Sequence, residues 1–218
     1  MPPFVADWVI EDLARKKQIV AQVETLIALG ALITSSSGSL PAASIFSDLK
    51  HRGRGTVAHF FAPAWRNPVV EVVRAADADP QIVEYLRWLF CMTGKVPLTT
   101  ADVECFILDR GFNNWCHEAA HCLERTSAAQ IDHVAAQFVE PAPFFALSAG
   151  NGSSVISKAN QILAAAKGEQ YRPAAVAAPN AQTRPVQLDP SPQMTRPPRP
   201  SWSPQRTVEG TRHGRVDK

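Results

Sequence analysis

Apolar positions set the order of elements along the chain. Ile10, Leu13, Val20, Val23 and Ile27 recur at helical steps, with Lys16, Lys17 and Glu24 between them. This spacing predicts a helix over 10–29 that Gly30 stops. Residues 31–34 are a short, partly β-branched apolar run and predict a strand, followed by a small-residue loop over 35–39. A short helix is expected over 40–49 and a turn over 51–55. Two further strands are expected at 56–61 and 69–74, on either side of a proline-bracketed loop. Ile82, Val83, Leu86, Leu89 and Phe90 share one face of a helix over 80–92, and 96–99 reads as a strand. Beyond it the pattern turns helical, at roughly 104–124, 128–138 and 154–166. Mixed strand and helix followed by helix alone fits the end of a doubly wound sheet leading into a helical domain. The expected divisions are 1–100, 101–168 and 169–218.

Charge sharpens the last boundary. The 218 residues carry a net charge of +2. Residues 1–170 hold 14 Lys+Arg against 17 Asp+Glu, whereas 171–218 hold 8 against 3. Nine of the eighteen prolines also fall in 171–218, where aliphatic residues thin out. Such a segment buries too little surface to offset its ordering entropy, so a disordered Pro/Arg-rich tail is expected. Tyr171 and Trp202 stand apart from each other, and no aromatic stacking pattern accompanies the arginines. No nucleic-acid partner is therefore expected. Cys91, Cys105, Cys116 and Cys122 fit no disulfide framework, and the start at Met1 lacks the character of a signal peptide. Reduced thiols and a cytoplasmic location are expected. No run of about 18 apolar residues occurs, so no membrane span is expected.

The chemistry concentrates in the two middle strands. His59 lies near the end of one apolar strand and Glu71 sits inside the next. A histidine base and the carboxylate that orients it can meet in this way across a sheet. The stretches Ser35-Ser-Ser-Gly-Ser-Leu40, His59-Phe-Phe-Ala-Pro63 and Val69-Val-Glu71-Val all take part in one larger pattern. So do Glu11-Asp-Leu-Ala-Arg-Lys16, Thr93-Gly-Lys-Val-Pro97, Asp102-Val-Glu-Cys-Phe106-Ile-Leu-Asp109-Arg110, Glu118-Ala119 with Glu124, and Ile131-Asp132. In order and spacing these resemble the NAD-dependent 3-hydroxyacyl-CoA dehydrogenase family over roughly residues 5–147.

The resemblance implies a partial NAD-binding Rossmann-like domain followed by an all-helical, 6-phosphogluconate-dehydrogenase-like domain for dimerisation and substrate. It implies an oxidoreductase of fatty-acid metabolism (β-oxidation) that converts 3-hydroxyacyl-CoA to 3-oxoacyl-CoA with NAD. His59 would be the base and Glu71 its partner. Glu11, Lys16 and Ser36 would lie at the cofactor, and Ser37, Ser39 and Asp109 at the substrate. A homodimer, or a pairing with a full-length relative, would form through the helical domain.

The chain departs from the family at telling positions. The oxygen-binding serine of the family is Gly38 here. Its oxygen-binding asparagine is Asp109, whose charge would repel a developing alkoxide or enolate. Ser36, Ser37 or Ser39 is the expected replacement donor. Glu104-Cys105 replaces a Pro-Gly pair and is expected to alter how the following helix starts. The family's opening strand, glycine turn and helix, which bind the pyrophosphate, are expected to be missing, leaving an apolar sheet edge. Gly53-Arg-Gly-Thr-Val-Ala58 matches the bare glycine spacing but precedes a strand instead of opening a helix. Impaired or absent turnover is therefore expected of this chain.

Two other readings compete. One is a non-catalytic remnant or partner-binding subunit, which would bind no NAD. The other is a zinc peptidase. His117-Glu118-Ala-Ala-His121 puts two histidines on one helical face with Glu118 as base, and Glu140 or His133 as third ligand. The dehydrogenase pattern carries Glu-Ala at this place in any case, so no metal site is expected.

Overall fold

The computed structural model describes residues 3–139, 142–146 and 152–173. The expected tail beyond residue 173 and the candidate zinc ligand Glu140 lie outside the described residues. One sheet carries its strands in chain order: β1 (Phe4–Asp7), β2 (Leu32–Ser35), β3 (Gly55–Phe60), β4 (Val69–Arg74) and β5 (Val96–Ala101). The first three run parallel, β4 is antiparallel to β3, and β5 is parallel to β4. Helices α1 (Leu13–Leu26) and α3 (Pro80–Met92) make the crossovers β1–α1–β2 and β4–α3–β5. The remaining helices are α2 (Ala42–Ile45), α4 (Leu108–Cys122), α5 (Ala128–Ala135), α6 (Pro143–Ala146) and α7 (Gly152–Lys167). No described helix is long and apolar enough to cross a membrane.

Local chemistry explains where the helices begin. Asp12 caps α1 by accepting the Arg15 amide at 2.8 Å. Asp79 accepts the Gln81 amide ahead of Pro80, whose fixed φ suits a first helical turn. Ser127 and Gln130 close a capping box on α5. The 40–49 helix shrinks to α2, one turn long. The 104–124 helix starts only at Leu108, because Cys105 and Phe106 take positive φ values of 59° and 41°. Cys105 occupies the place where the family pattern has glycine, the residue that adopts this conformation most readily.

Side chains alternate across the sheet with period two, and both faces are covered. Ile33, Val57 and Val73 pack with Val20 of α1, Ile45 of α2 and Phe106. Leu32, Ala58, Val70 and Val72 pack on the opposite face with Ile82, Val83, Leu86 and Phe90 of α3 or its end. The sequence gives little sign of β1, which is only four residues long and has no alternating pattern. It takes the outer position beside β2, and Phe4 is exposed there.

Candidate active site

Period two decides where His59 and Glu71 point. His59 shares a face with Val57, and Glu71 shares it with Val73, so both lie on the face covered by α1, α2 and Phe106. The antiparallel register places His59 directly opposite Glu71. His59 Nδ1 lies 2.8 Å from Glu71 Oε2, and both side chains are buried. The other carboxylate oxygen, Oε1, accepts the amides of Ile107 at 2.9 Å and Leu108 at 3.0 Å. Helix α4 has no side-chain cap at its own N-cap residue, so a strand glutamate satisfies its first free amides. This second task of Glu71 carries no signal in the sequence, because its partners lie 36 and 37 residues away.

The second ring nitrogen faces a different carboxylate. Asp109 Oδ2 lies 3.8 Å from His59 Nε2, an ion-pair distance longer than a hydrogen bond. Asp109 is buried, and its Oδ1 has no hydrogen-bond partner. Gly38 closes this side. A β-carbon at position 38 would fall 2.2 Å from Asp109 Oδ2 and 2.9 Å from His59 Nε2. Glycine is therefore required here for space, and the carboxylate of Asp109 fills the volume a side chain at 38 would need.

These neighbours set the protonation of the site. Burial works against a charged imidazole. The hydrogen bond to Glu71 and the charges of Asp109, Glu71 and Glu11 outweigh it and raise His59 above its ordinary 6.5. Burial also pushes Asp109 up to about 6, with Glu71 and Glu11 adding to the rise and His59 opposing it. The buried Cys105 and Cys116 thiols are pushed up to about 12, chiefly by burial, and are inert as nucleophiles.

The residues assigned to cofactor and substrate gather in a second cluster. Glu11 Oε1 accepts the hydroxyls of Ser37 at 2.5 Å and Ser39 at 2.6 Å, and the Ser39 amide at 2.9 Å. Those two hydroxyls are spent on Glu11. The Ser36 amide donates to the Asp7 carbonyl. Lys16 is fully buried and reaches Asp7 Oδ2 at 3.2 Å, the Val9 carbonyl at 3.1 Å and Ser35 Oγ at 3.3 Å. Asp7, which also accepts from Ser35 Oγ at 2.6 Å, ends β1, a strand with no alternating pattern to mark it in the sequence. Among the described residues, no glycine turn opens a helix onto a phosphate. Gly53 lies in a single 3₁₀ turn, and Gly55 begins β3 pressed against the Phe46 ring.

His117 and His121 meet ring to edge on α4, their centroids 4.6 Å apart. His117 Nε2 donates to the Arg172 carbonyl at 2.6 Å, so a metal would have to displace that bond. Among the described residues, no group of three or more His, Cys, Asp or Glu is placed to hold a metal ion.

Comparison with known proteins adds to this geometry. Residues 3–103 match the family described as 3-hydroxyacyl-CoA dehydrogenase, NAD binding domain. FadB2 of M. tuberculosis superposes with a TM-score of 0.73 at 21% identity, and PaaH1, the (S)-3-hydroxybutyryl-CoA dehydrogenase of Ralstonia eutropha, with 0.72 at 20%. Each match covers 80% of this chain and 63% of the other. The Escherichia coli 3-hydroxybutyryl-CoA dehydrogenase superposes with 0.68 at 25% identity, over 80% of this chain and 38% of that one. The chain thus spans less than two thirds of the length of these proteins. Residues 3–103 thus match the NAD-binding domain of 3-hydroxyacyl-CoA dehydrogenases, and the chain has the Rossmann-like fold of these proteins.

Proposed function

We propose that this chain is a member of the 3-hydroxyacyl-CoA dehydrogenase family and interconverts 3-hydroxyacyl-CoA and 3-oxoacyl-CoA in fatty-acid metabolism, with weak turnover as this chain. The observation that carries the reading is the buried 2.8 Å contact between His59 Nδ1 and Glu71 Oε2, with Glu71 fixed in turn by two α4 amides. Such an arrangement fixes the tautomer and direction of the ring and leaves Nε2 for a substrate oxygen. Residues 1–100 would serve as the NAD-binding part and 101–168 as the helical part that contacts acyl-CoA and a second subunit.

Bound NAD supplies the acceptor for the hydride. The described residues fit one end of it. Glu11 Oε2 lies 3.9 Å from Lys16 Nζ and can accept a ribose hydroxyl. Lys16 itself is held by Asp7 and acts through the position of Glu11. The pyrophosphate end finds no cradle among these residues, since the turn before α1 carries Asp7, Glu11 and Asp12. This mismatch supports weak turnover. It also keeps alive the second reading, a non-catalytic subunit that pairs with a partner.

A coupled assay of NADH formation from a short 3-hydroxyacyl-CoA tests the proposal. The native chain is expected to turn over slowly, and His59→Gln to lose about 100- to 10,000-fold of that rate. If the native chain binds no NAD and shows no turnover above His59→Gln, the dehydrogenase reading fails and the non-catalytic one replaces it.

A further inference from the structure

We propose that Gly38 and Asp109 form one positioning unit that keeps the proton on His59, making the site an acid that hands a proton to a carbonyl oxygen undergoing reduction. The substrate's identity rests on the dehydrogenase reading above, but the placement of the proton does not.

Three observations converge. His59 carries a carboxylate on each side of its ring, Glu71 on Nδ1 at 2.8 Å and Asp109 on Nε2 at 3.8 Å. The glycine at 38 is needed for that second carboxylate, because any β-carbon there would overlap Asp109 Oδ2. Asp109 Oδ1 is buried without a partner, so the α4 carboxylate is directed at the imidazole and not tied down elsewhere. The charged groups that act on the ring are Glu71 from β4, Asp109 from α4 and Glu11 from the turn before α1. Lys16 of α1 is engaged by Asp7, 3.2 Å away, and lies 3.9 Å from Glu11. The ring therefore sits among anions that favour the imidazolium, consistent with the upward direction of its titration.

The 3.8 Å separation from Asp109 matters for the reaction. It is too long for a hydrogen bond, so Asp109 stabilises the charge without taking the Nε2 proton. In the reduction, a bound reduced nicotinamide would supply hydride to the carbonyl carbon, and the carbon–oxygen π pair would move to oxygen. The Nε2 proton would pass to that oxygen as its charge develops, leaving neutral His59, the oxidised cofactor and the alcohol. In the reverse direction the same site must first lose its proton, and Asp109 makes that loss harder. Asp109 thus acts through His59 and extends upward the pH range over which the ring holds the proton that reduction uses.

The test is a pH titration of the full chain labelled with ¹⁵N-histidine, with the His59 ring signals identified by their loss in His59→Gln. Native His59 is expected to titrate above an ordinary histidine, and Asp109→Asn and Asp109→Ala each to lower its midpoint by about one to three pH units. An unchanged midpoint in either folded variant overturns the proposal. A second arm follows NADH-dependent reduction of a 3-oxoacyl-CoA across pH. Its alkaline limb is expected to move down in Asp109→Asn by the same interval, and a limb that stays in place overturns the acid role. A shifted NMR midpoint with no turnover in either direction refutes the dehydrogenase reading but supports this placement of the proton.

Discussion

The two sides of the His59 ring hold the same kind of group in opposite states of satisfaction. On the β4 side, Glu71 is fully buried, and its oxygens are engaged by the imidazole and two backbone amides. On the α4 side, Asp109 is nearly as buried, yet one oxygen has no partner and the other lies at ion-pair distance. A buried carboxylate costs several kcal/mol unless hydrogen bonds and opposite charge compensate for lost water, on the order of what a buried ion pair recovers. Glu71 is compensated by design of the hairpin and the helix start. Asp109 is compensated mainly by the imidazolium, and burial lifts it to about 6. The lesson is that one carboxylate builds the scaffold of the site while the other tunes it.

The largest expected effect falls on the satisfied side. Glu71→Ala leaves the amides of Ile107 and Leu108 and the ring of His59 without their partner, and is expected to destabilise the fold by about 3–5 kcal/mol. Urea unfolding measures this, and a loss below about 1 kcal/mol would mean that α4 does not depend on Glu71.

The crowding at Gly38 comes next. Gly38→Ala is expected to cost about 1–3 kcal/mol, because its β-carbon would meet Asp109 Oδ2. In the Asp109→Ala background the same change should cost much less. A double-mutant cycle on unfolding free energies checks the coupling, and additive costs would show that the two positions do not share one volume.

The smallest effect is a slope. Asp109 titrates higher in the fold than its ordinary 3.8, so its contribution to stability is fully present below about 3.8 and is lost as pH rises through about 6. Asp109→Asn should remove that decline, flattening the stability profile between those pH values. The raised His59 contributes with the same sign. Its share is complete below about 6.5 and fades as pH rises through its higher folded value. Unfolding measured at several pH values separates the two windows.

Much of the fold is legible in the sequence. The helix over 80–92 and the strand over 69–74 appear where apolar spacing places them, because long periodic runs leave one way to bury their faces. Shorter elements are less legible. β1 is held by its pairing with β2, and the start of α4 is moved by two left-handed residues that no periodicity reveals. At the site, His59 and Glu71 stand out through their strands and flanking motifs, and the register then sets them opposite each other. Ser37 and Ser39 show the reverse. As residue types they suit a substrate oxygen, but the fold turns their hydroxyls onto Glu11.

The sequence by itself determined which strands and helices form, which faces they bury, and which residue types could carry proton transfer, because these follow from local spacing and side-chain chemistry. Only the tertiary structure decided what each polar group does. Glu71 caps a helix that starts 37 residues later, Asp7 anchors Lys16, and Gly38 yields its volume to Asp109. These roles depend on distances of a few ångströms between groups far apart in the chain, and a buried polar atom takes its role from the partner that packing brings to it.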